Sequence, residues 1–338
     1  MKSAFKIATG VAALAMVASS AYAGTLDDVK KRGVLKCGVS TGLPGFTAIS
    51  DAKKYTGLDV DTCRAVAAAV LGDANKVEFT ALTAKERFTS LSGGDIDMLA
   101  RNSTWTLDRD AAKGLNFTGV NYYDGQGFLV PIALGVKSAL ELDGAKLCIQ
   151  AGTTTELNLA DYFKEHGMSY KVETFDTSEQ TIGSFEAGGC DILTSDQSQL
   201  YALRSKMKNP SSAVVLPEVI SKEPLGPVVR QGDDEWFNIV KWVLFAQVNA
   251  EELGVTSANA DSMKSSKNGS TLRLLGVTPG MGAKLHLGED WAYNAVKQVG
   301  NYGEMFERNV GLNTPLAIAR GLNALWNKGG LQYAPPIR

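Results

Sequence analysis

The chain has 338 residues, a formal net charge of −2 and a hydrophobic content of 44%. That length is enough for two compact lobes, and the composition is that of an ordinary globular protein. The sequence contains no basic block, which argues against a nucleic-acid or membrane-surface partner. After the first 23 residues, no apolar run is long enough to cross a membrane.

The amino terminus has the pattern of a cleaved secretory signal peptide. Its features are positive residues at Lys2 and Lys6, an apolar run over residues 7–18, and the small-residue sequence Ala21-Tyr22-Ala23. We therefore expect cleavage before Gly24 and a mature protein in the periplasm, with a buried first helix as the alternative interpretation. The first cysteine is Cys37, so no lipid anchor is expected at the cleavage junction.

The four cysteines are Cys37, Cys63, Cys148 and Cys190, and they do not form a C-x-x-C metal motif. Only His166 and His286 are available as histidine ligands, so we expect no metal site, and no cofactor is expected either. An even number of cysteines in an oxidising compartment favours two disulfides, for which three pairings are possible. Nearness in sequence favours Cys37–Cys63 and Cys148–Cys190, each contributing about 3–4 kcal/mol in the chain-entropy model.

The first part of the mature chain alternates strand and helix. Strands are predicted over residues 33–40, 76–80 and 96–99. Apolar residues between Val60 and Leu71 fall on one helical face, and Gly72 ends that helix. A second helix opens at Thr83, where Glu86 completes a capping box. This order of elements predicts a parallel α/β sheet.

A second region repeats the plan. Strands are predicted over residues 146–150, 170–175 and 191–193, with helices that open at Thr153 and Thr177, each beginning a capping box. When the two regions are laid over each other, Asn102 falls opposite Asp196, each just past an equivalent strand. Ligands of open α/β sheets bind at the carboxyl ends of strands, so two such regions facing each other predict a cleft.

The remaining segments connect and complete the lobes. We expect crossover strands at residues 127–136 and 224–230, helices over 236–248, 290–310 and 315–326, a polar loop over 258–270, and an irregular tail from Leu331. The predicted domains are residues 24–131 with 228–338 for lobe 1 and residues 132–227 for lobe 2. The carboxyl-terminal part is therefore expected to be mostly helical.

Three polar segments carry the candidate binding residues. In the first, Asn102 and Thr104 alternate on an extended stretch and point the same way, and Arg109 follows on a turn. The planar guanidinium of an arginine suits a carboxylate held by two hydrogen bonds. The alternative is that Arg109 pairs at the surface with Asp108 or Asp110.

The second segment is residues 152–155, where the start of a helix offers free N–H groups to an anion, with plain capping by Thr153 as the alternative. In the third, Asp196 follows a buried strand and can accept hydrogen bonds from an ammonium group. Its alternative role is to cap the helix predicted over residues 197–204. A zwitterion with both groups on one carbon satisfies all three segments together.

The chain resembles the polar amino-acid family of periplasmic binding proteins, the solute receptors of ABC transporters, over about residues 33–230. The resemblance is carried by GVLKCGVS, GLDVDTCRAVAAAVLGD, SLSGGDIDML, the Thr-Leu-Asp-Arg turn at 106–109, AGTTTE and GGCDILTSDQS. RNSTWTLDRD followed by NYYDGQGFLV is especially similar to the general L-amino-acid receptors of that family. The resemblance implies the type II fold, in which two α/β lobes joined by two hinge strands close on the ligand.

The resemblance also implies roles for matching residues. Arg109 clamps the α-carboxylate with help from Thr154, and Asp196 takes the α-ammonium with help from Asn102 or Thr104. Two positions depart from members selective for cationic side chains. The loop after the first strand has Ser40-Thr41 instead of an acid, and Ala84 stands where many members stack an aromatic ring. Phe46 and Tyr123 are the candidate apolar walls.

These departures favour a broad range of free L-amino acids as ligands. The implied protein partner is the membrane permease of an ABC transporter, and a monomer is expected. No catalytic motif is found, so an enzyme is not expected. The alternatives are a periplasmic dehydratase on the same fold, which needs a free carboxylate base, and a receptor that feeds a signalling partner.

Overall fold

The computed structural model describes residues 24–52 and 54–338, so the expected signal peptide lies outside the described residues. The strands are β1 (Leu35–Ser40), β2 (Ala48–Ile49), β3 (Tyr55–Thr56), β4 (Val77–Leu82), β5 (Met98–Leu99), β6 (Leu115–Phe117), β7 (Tyr122–Asp124), β8 (Gln126–Pro131), β9 (Lys146–Gln150), β10 (Lys171–Phe175), β11 (Ile192–Asp196), β12 (Ala213–Val215), β13 (Glu223–Leu225) and β14 (Val228–Arg230).

The helices are α1 (Thr25–Arg32), α2 (Leu58–Leu71), α3 (Arg87–Ser92), α4 (Leu107–Ala111), α5 (Thr155–Glu165), α6 (Ser178–Glu186), α7 (Gln197–Lys206), α8 (Asp234–Glu252), α9 (Ala260–Met263), α10 (Gly269–Leu274), α11 (Trp291–Val299) and α12 (Tyr302–Asn309). Within the described ranges, none of these helices combines the length and the apolar character that a membrane span requires.

Lobe 1 is built on a five-stranded sheet of order β4-β1-β5-β14-β6. The first three strands run parallel, as the alternation of strand and helix predicts. Strand β14 follows the lobe 2 segment in the chain and pairs antiparallel with β5 and β6. The carboxyl ends of β1, β4 and β5 therefore meet at one edge of the sheet.

Lobe 2 repeats this architecture with the order β10-β9-β11-β8-β12. Strand β9 runs parallel to β10 and β11, and β8 inserts antiparallel between β11 and β12. In each sheet the fourth strand in the order is antiparallel to its neighbours, and this strand is β14 in lobe 1 and β8 in lobe 2. The two regions predicted to repeat each other form two lobes of one plan.

The lobes are joined by a short antiparallel ladder between β7 and β13, in which Tyr123 lies opposite Pro224. Residues 127–136 and 224–230 were the expected crossovers, but β8 pairs within the lobe 2 sheet and β14 within that of lobe 1. An extended apolar segment has the same pattern whether it crosses between lobes or joins a sheet. We therefore place the lobe boundary at β7 and β13 instead of at residues 131/132 and 227/228.

The carboxyl-terminal region differs from the sequence expectation in three places. Helices α9 and α10 occupy the segment expected as a polar loop, and no α-helix forms over residues 315–326, which contain only short 3₁₀ turns. The helix expected over 290–310 is two helices, because Gly300 ends α11 and Asn301 caps α12 with Glu304. The irregular tail packs against the rest of the protein, because Ile337 is buried at 8% exposure.

Both favoured disulfide pairs are present in the structure. Cys37 on β1 is bonded to Cys63 on α2, and Cys148 on β9 is bonded to Cys190 just before β11, with Cα–Cα distances of 6.2 and 5.7 Å. Each lobe therefore carries one disulfide between a parallel strand of its sheet and a segment that follows that strand in the chain. The predicted pairing is confirmed.

Candidate ligand-binding site

A small cavity lies between the lobes and is lined by residues of both. Its lining residues come from the start of α3, the loop after β5, α4, the start of α5, the end of β11 and α7. They are Arg87, Arg101, Asn102, Thr104, Arg109, Thr153, Thr154, Thr155, Ser195, Asp196 and Gln199. Six of them, Asn102, Thr104, Arg109, Thr153, Thr154 and Asp196, are candidate binding residues of the sequence analysis.

Arg109 is held on helix α4, whose first turn is capped by the Thr106 hydroxyl. The side chain turns into the cavity, is 7% exposed for the whole residue, and donates from Nη1 to the Thr104 carbonyl at 3.0 Å. Its guanidinium lies 5.2 Å from the centre of the Phe88 ring. The alternative surface pair is not formed, because Asp108 approaches Lys113 instead, at 3.6 Å.

Two further arginines line the cavity and were not predicted as site residues. Arg87 donates to the Ser103 hydroxyl at 3.2 Å and, across the cleft, to the Gly152 carbonyl at 3.3 Å. Arg101 donates from Nε to the Leu82 carbonyl at 3.1 Å. Burial lowers the pKa of both, that of Arg101 to about 10, because the charged form loses its hydration. Lobe 1 thus faces the cavity with three guanidinium groups.

Lobe 2 presents a carboxylate to the same cavity. Asp196 ends β11 and is 8% exposed, and its side chain makes no capping hydrogen bond to α7. Burial raises its pKa well above the usual range, and nearby Asp124 and Glu223 raise it further, whereas Arg109 and Arg87 act to lower it. A cation placed beside Asp196 would relieve this repulsion, so the cavity favours an ammonium group at this point.

Asn102 adopts the left-handed backbone conformation, with φ of 32°. Its N–H donates to the Asp59 carboxylate at 3.0 Å, and its side-chain amide donates to Gln199 of lobe 2 at 3.3 Å. Burial raises the pKa of Asp59 to about 7, while the Asn102 N–H and Arg101 act to lower it. This tight turn aims the Asn102 side chain across the cleft.

The start of α5 closes the opposite wall. The Thr153 hydroxyl donates to the Gln150 carbonyl at 2.7 Å and accepts from the Thr155 N–H at 3.3 Å. The capping box expected with Glu156 does not form, because the helix begins two residues later, at Thr155. Gly152 comes so close to lobe 1 that a Cβ would lie about 3.0 Å from the backbone nitrogen of Lys85.

Glu223 on β13 is a buried carboxylate between the lobes, and the sequence analysis did not select it. The Thr104 hydroxyl of lobe 1 and the Thr154 hydroxyl of lobe 2 both donate to its Oε2, the latter at 2.9 Å. Asn158 and Ser221 donate to Oε1 at 2.6 and 2.8 Å. The hydroxyls of the two threonines therefore meet on a residue of the connecting ladder.

Phe46 does not form a wall of this cavity. It is buried at 1% exposure and packs edge-on against Tyr122, with 5.3 Å between ring centres, inside the lobe 1 core. Tyr123 is likewise absent from the lining and sits on the ladder strand β7. An aromatic residue near a glycine-rich loop serves a core or a pocket equally well, and the sequence pattern does not separate the two.

The lobes are closed on each other in this structure. Lys85 of lobe 1 forms an ion pair with Asp176 of lobe 2 at 2.6 Å, and the Ser178 hydroxyl donates to the Gly42 carbonyl at 3.4 Å. Outside the inner cavity lies an open cleft of about 540 Å³, which shares Arg109, Thr153 and Thr154 with it and includes Ala84 and Phe88. A ligand held in the inner cavity can therefore extend toward solvent.

The sequence offered few signals for the site residues that were not predicted, which are Arg87, Arg101 and Glu223. Arg87 and Arg101 lie in segments already recognised, one on a predicted helix and one just past a predicted strand. Glu223 lies just before the segment predicted to be extended and apolar, which begins at Pro224. Among the described residues, no group of His, Cys, Asp and Glu side chains is arranged to hold a metal ion.

Two lobes of like topology, a two-stranded connection and a cavity with opposite charges on opposite lobes define a protein of the two-lobed periplasmic binding class. Residues 35–257 match the bacterial extracellular solute-binding proteins, family 3. The chain belongs to this family, and the predicted family resemblance and type II fold are confirmed.

Similar proteins agree with this assignment. The chain is 57% identical to the general L-amino acid-binding periplasmic protein AapJ of Rhizobium johnstonii, over 98% of each chain. It is 52% identical to the glutamate/glutamine/aspartate/asparagine-binding protein BztA of Rhodobacter capsulatus, over 97% of each. Both relatives are named as binding proteins rather than as enzymes.

The fold also matches a solved structure, an ABC transporter/periplasmic binding protein from Brucella ovis with glutathione bound. The TM-score is 0.92 at 53% sequence identity, and the match covers 94% of this chain and all of that one. A match of this extent includes the carboxyl-terminal region beyond residue 257, where the family match ends.

Proposed function

We propose that the protein captures free L-amino acids with a broad range of side chains in the periplasm and delivers them to the membrane permease of an ABC transporter. The observation that carries the proposal is the placement of Arg109 and Asp196 on opposite lobes around one buried cavity. An α-amino acid presents a carboxylate and an ammonium on one carbon. Its two charges match the two lobes, so binding favours closure.

In this proposal Arg109 binds the α-carboxylate, and the first turn of α5 at Thr153 and Thr154 adds backbone N–H groups from lobe 2. Asp196 binds the α-ammonium, and Asn102 contributes a further polar contact. Micromolar affinity requires about 8 kcal/mol. Hydrogen bonds to charged groups contribute roughly 1.5–3 kcal/mol each, so a few of them offset the cost of immobilising the ligand.

Thr104 and Thr154 act on the ligand through their neighbours. Their hydroxyls are engaged by Glu223, while the Thr104 carbonyl accepts from Arg109. Thr104 therefore fixes the Arg109 guanidinium, and Glu223 links both threonines to the connecting ladder. This refines the roles that the family resemblance implies for the two hydroxyls.

The open cleft beside the inner cavity supports a broad range of side chains. Ala84 lines this cleft at the position where an aromatic ring would narrow it, and Ser40 provides no acid that would select cationic ligands. The name of the relative AapJ, a general L-amino acid-binding protein, agrees with a broad range. The name of BztA agrees with acidic and amide side chains as members of that range.

Glutathione is a second candidate ligand, because the similar Brucella ovis protein has it bound. The γ-glutamyl end of glutathione carries the same α-carboxylate and α-ammonium pair as a free amino acid. That end fits the inner cavity in our proposal, and the rest of the tripeptide extends into the open cleft past Arg109 and Thr153.

A thermal-shift screen of the twenty L-amino acids and reduced glutathione tests the ligand class. A bound ligand raises stability by RT ln(1 + [L]/Kd), so hits at equal concentration rank by affinity. We expect many L-amino acids to raise Tm and their D-enantiomers to raise it less. A response to glutathione alone would establish the second candidate instead, and no response from any compound would contradict both.

Scattering in solution tests the coupling of binding to closure. We expect the radius of gyration to fall when a hit from the screen is added, because the lobes move together. The same measurement on Arg109→Ala with the same ligand concentration should show no fall. An unchanged radius for the wild-type protein with every hit would contradict capture by lobe closure.

Delivery to a permease is supported by two exposed leucines at the cleft rim, one on each lobe. Leu107 on α4 is 84% exposed and Leu157 on α5 is 72% exposed. A partner that contacts both leucines contacts both lobes of a closed monomer. Replacing both by Asp should leave the binding of alanine, whose side chain does not reach the open cleft, intact and abolish its uptake into vesicles containing the cognate permease. Leu312→Asp, at a residue 63% exposed elsewhere, should not abolish uptake. Binding without any stimulation of uptake by the wild type would favour a signalling receptor.

A further inference from the structure

The carboxyl-terminal region makes a set of side-chain contacts with the backbone of the ladder strand β7. Tyr123 lies opposite Pro224, whose carbonyl faces away from β7 and accepts from the Trp105 N–H. Both backbone polar groups of Tyr123 are bound on the other side by one residue. Asn323 Oδ1 accepts from the Tyr123 N–H at 2.7 Å, and Asn323 Nδ2 donates to the Tyr123 carbonyl at 3.0 Å.

Two more side chains bind the backbone just before β7. The Tyr302 hydroxyl donates to the Asn121 carbonyl at 2.9 Å, and Gln332 Nε2 donates to the Val120 carbonyl at 3.3 Å. Gln332 also donates to the Tyr302 hydroxyl at 3.1 Å, so the side chains support one another. The backbone of residues 120–123 is thus held by three residues that all lie beyond the family match.

The contact is anchored to lobe 1. Arg320 donates to the Asn323 carbonyl at 2.9 Å and forms an ion pair with Glu251 on α8 at 3.0 Å. Helix α8 is packed in the lobe 1 core through Trp236 and its neighbours. The chain of contacts therefore runs from the lobe 1 core, through Arg320 and Asn323, to one of the two strands on which the lobes move.

We propose that Asn323 and Tyr302 are positioning residues that fix the lobe 1 end of the hinge strand and thereby set the free energy of lobe closure. The inference rests on the proposed capture of a ligand by closure. A hinge backbone that is already ordered loses less conformational entropy when the lobes close. These residues do not touch the ligand, so their effect on affinity is independent of the ligand's side chain.

The test compares Asn323→Ala and Tyr302→Phe with Gln298→Ala. Gln298 is a matched control, because its side chain also bridges two backbone groups: it accepts from the Ala74 N–H at 2.8 Å and donates to the Gly72 carbonyl at 2.9 Å, away from the hinge. Each variant is titrated calorimetrically with glutamate and with leucine. Association and dissociation rates are followed by stopped-flow fluorescence, and the unliganded proteins are compared by solution scattering.

We expect Asn323→Ala to weaken both ligands by the same factor, about fivefold for the loss of about one hydrogen bond's net contribution, with most of the change in the dissociation rate. The unliganded variant should be more open in scattering than the wild type. Tyr302→Phe, which removes one hydroxyl, should show a smaller change of the same kind. Gln298→Ala should lower Tm yet leave both affinities within twofold.

Unequal effects on the two ligands, or affinities and scattering equal to those of the wild type, would overturn the proposal. If Asn323→Ala fails to fold, Tyr302→Phe decides between these results. If the wild type binds neither ligand, the proposed function fails, and the scattering of the unliganded variants still decides whether these residues set the opening of the lobes.

Discussion

The two lobes share one sheet plan and differ in the charge that they bring to the cleft. Lobe 1 presents the guanidinium groups of Arg87, Arg101 and Arg109, whereas lobe 2 presents the carboxylate of Asp196 and the first turn of α5. Both sets stand at or near the carboxyl ends of equivalent strands. The shared scaffold fixes where these charged groups lie, and the loops fix their sign.

The lobes also differ in what packs around their sheets. The largest buried cluster packs α8, α11 and α12, with Trp236 and Phe306, against lobe 1 and continues into lobe 2 at Leu193 and Leu203. Lobe 2 has a second, separate cluster around Phe128 and Phe163. Lobe 1 is therefore covered in part by carboxyl-terminal helices, whereas lobe 2 is covered by α5, α6 and α7.

The largest expected effect is the loss of the lobe 1 clamp. Arg109→Ala should weaken amino-acid binding by about 3–5 kcal/mol, or about 10² to 10⁴ in Kd, because the ligand carboxylate would be buried without its partner. Calorimetric titration measures the change. Arg64→Ala is the control, since Arg64 donates to the Tyr55 carbonyl in lobe 1 outside the cavity. Near-normal binding by Arg109→Ala would remove this residue from the site.

Removing each disulfide tests how much it contributes to the free energy of unfolding. Replacing Cys148 and Cys190 by Ala should lower the free energy of unfolding by about 4 kcal/mol, and the same change at Cys37 and Cys63 by about 3.5 kcal/mol, because the closed loops span 42 and 26 residues. Denaturant unfolding of both variants measures the two losses. A larger loss in lobe 1 would mean that loop length does not set the order.

Removing the lobe 2 charge should have a smaller effect on binding. Asp196→Asn should weaken L-amino acids by about 10- to 100-fold, as expected for about 1.5–3 kcal/mol from a charged hydrogen bond, yet leave the deaminated analogue of each ligand unaffected. Asp108→Asn at the exposed cleft surface is the control, since the Asp108 side chain is 74% exposed. Equal losses for both kinds of ligand would show that Asp196 does not bind the ammonium.

The same residue predicts a pH dependence. Because burial raises the pKa of Asp196, amino-acid affinity should rise with pH as the carboxyl ionises, and Asp196→Asn should flatten this rise. The raised pKa acts on the unliganded protein in the opposite direction. The folded state holds the proton more tightly than the unfolded state, so this group's contribution to stability is present at low pH and is lost as pH rises through the raised pKa.

The smallest expected effect is at the rim of the cleft. Lys85→Ala breaks the ion pair with Asp176 that joins the lobes, but the two side chains are 58% and 63% exposed. Exposed ion pairs contribute about 0–1 kcal/mol, so Kd should change less than about fivefold at moderate salt and less still at high salt. A loss comparable to that of Asp196→Asn would show that the rim contributes as much to closure as the buried charges.

Sequence patterns were sufficient to predict the alternating strands and helices of the two sheets, though not the elements of the carboxyl-terminal region. Hydrophobic periodicity and helix capping located β1, α2 and α6 closely, because these signals are local. The capping box at Thr177 and Gln180 forms as predicted, and the cysteine spacing favoured the pairs that the lobes contain. Residue type and position after a predicted strand or turn also selected Arg109 and Asp196, which the structure places in one cavity.

Only the tertiary structure decided which residues meet across the cleft. Glu223 becomes part of the site because β13 returns beside both lobes, and Asn323 reaches Tyr123 from a segment 200 residues further along the chain. Phe46 lies in the core because it packs against Tyr122, which comes from a distant segment of the chain. Local sequence encodes backbone preference and the pattern of burial, whereas contacts between remote segments depend on how the sheets assemble, which no local pattern contains.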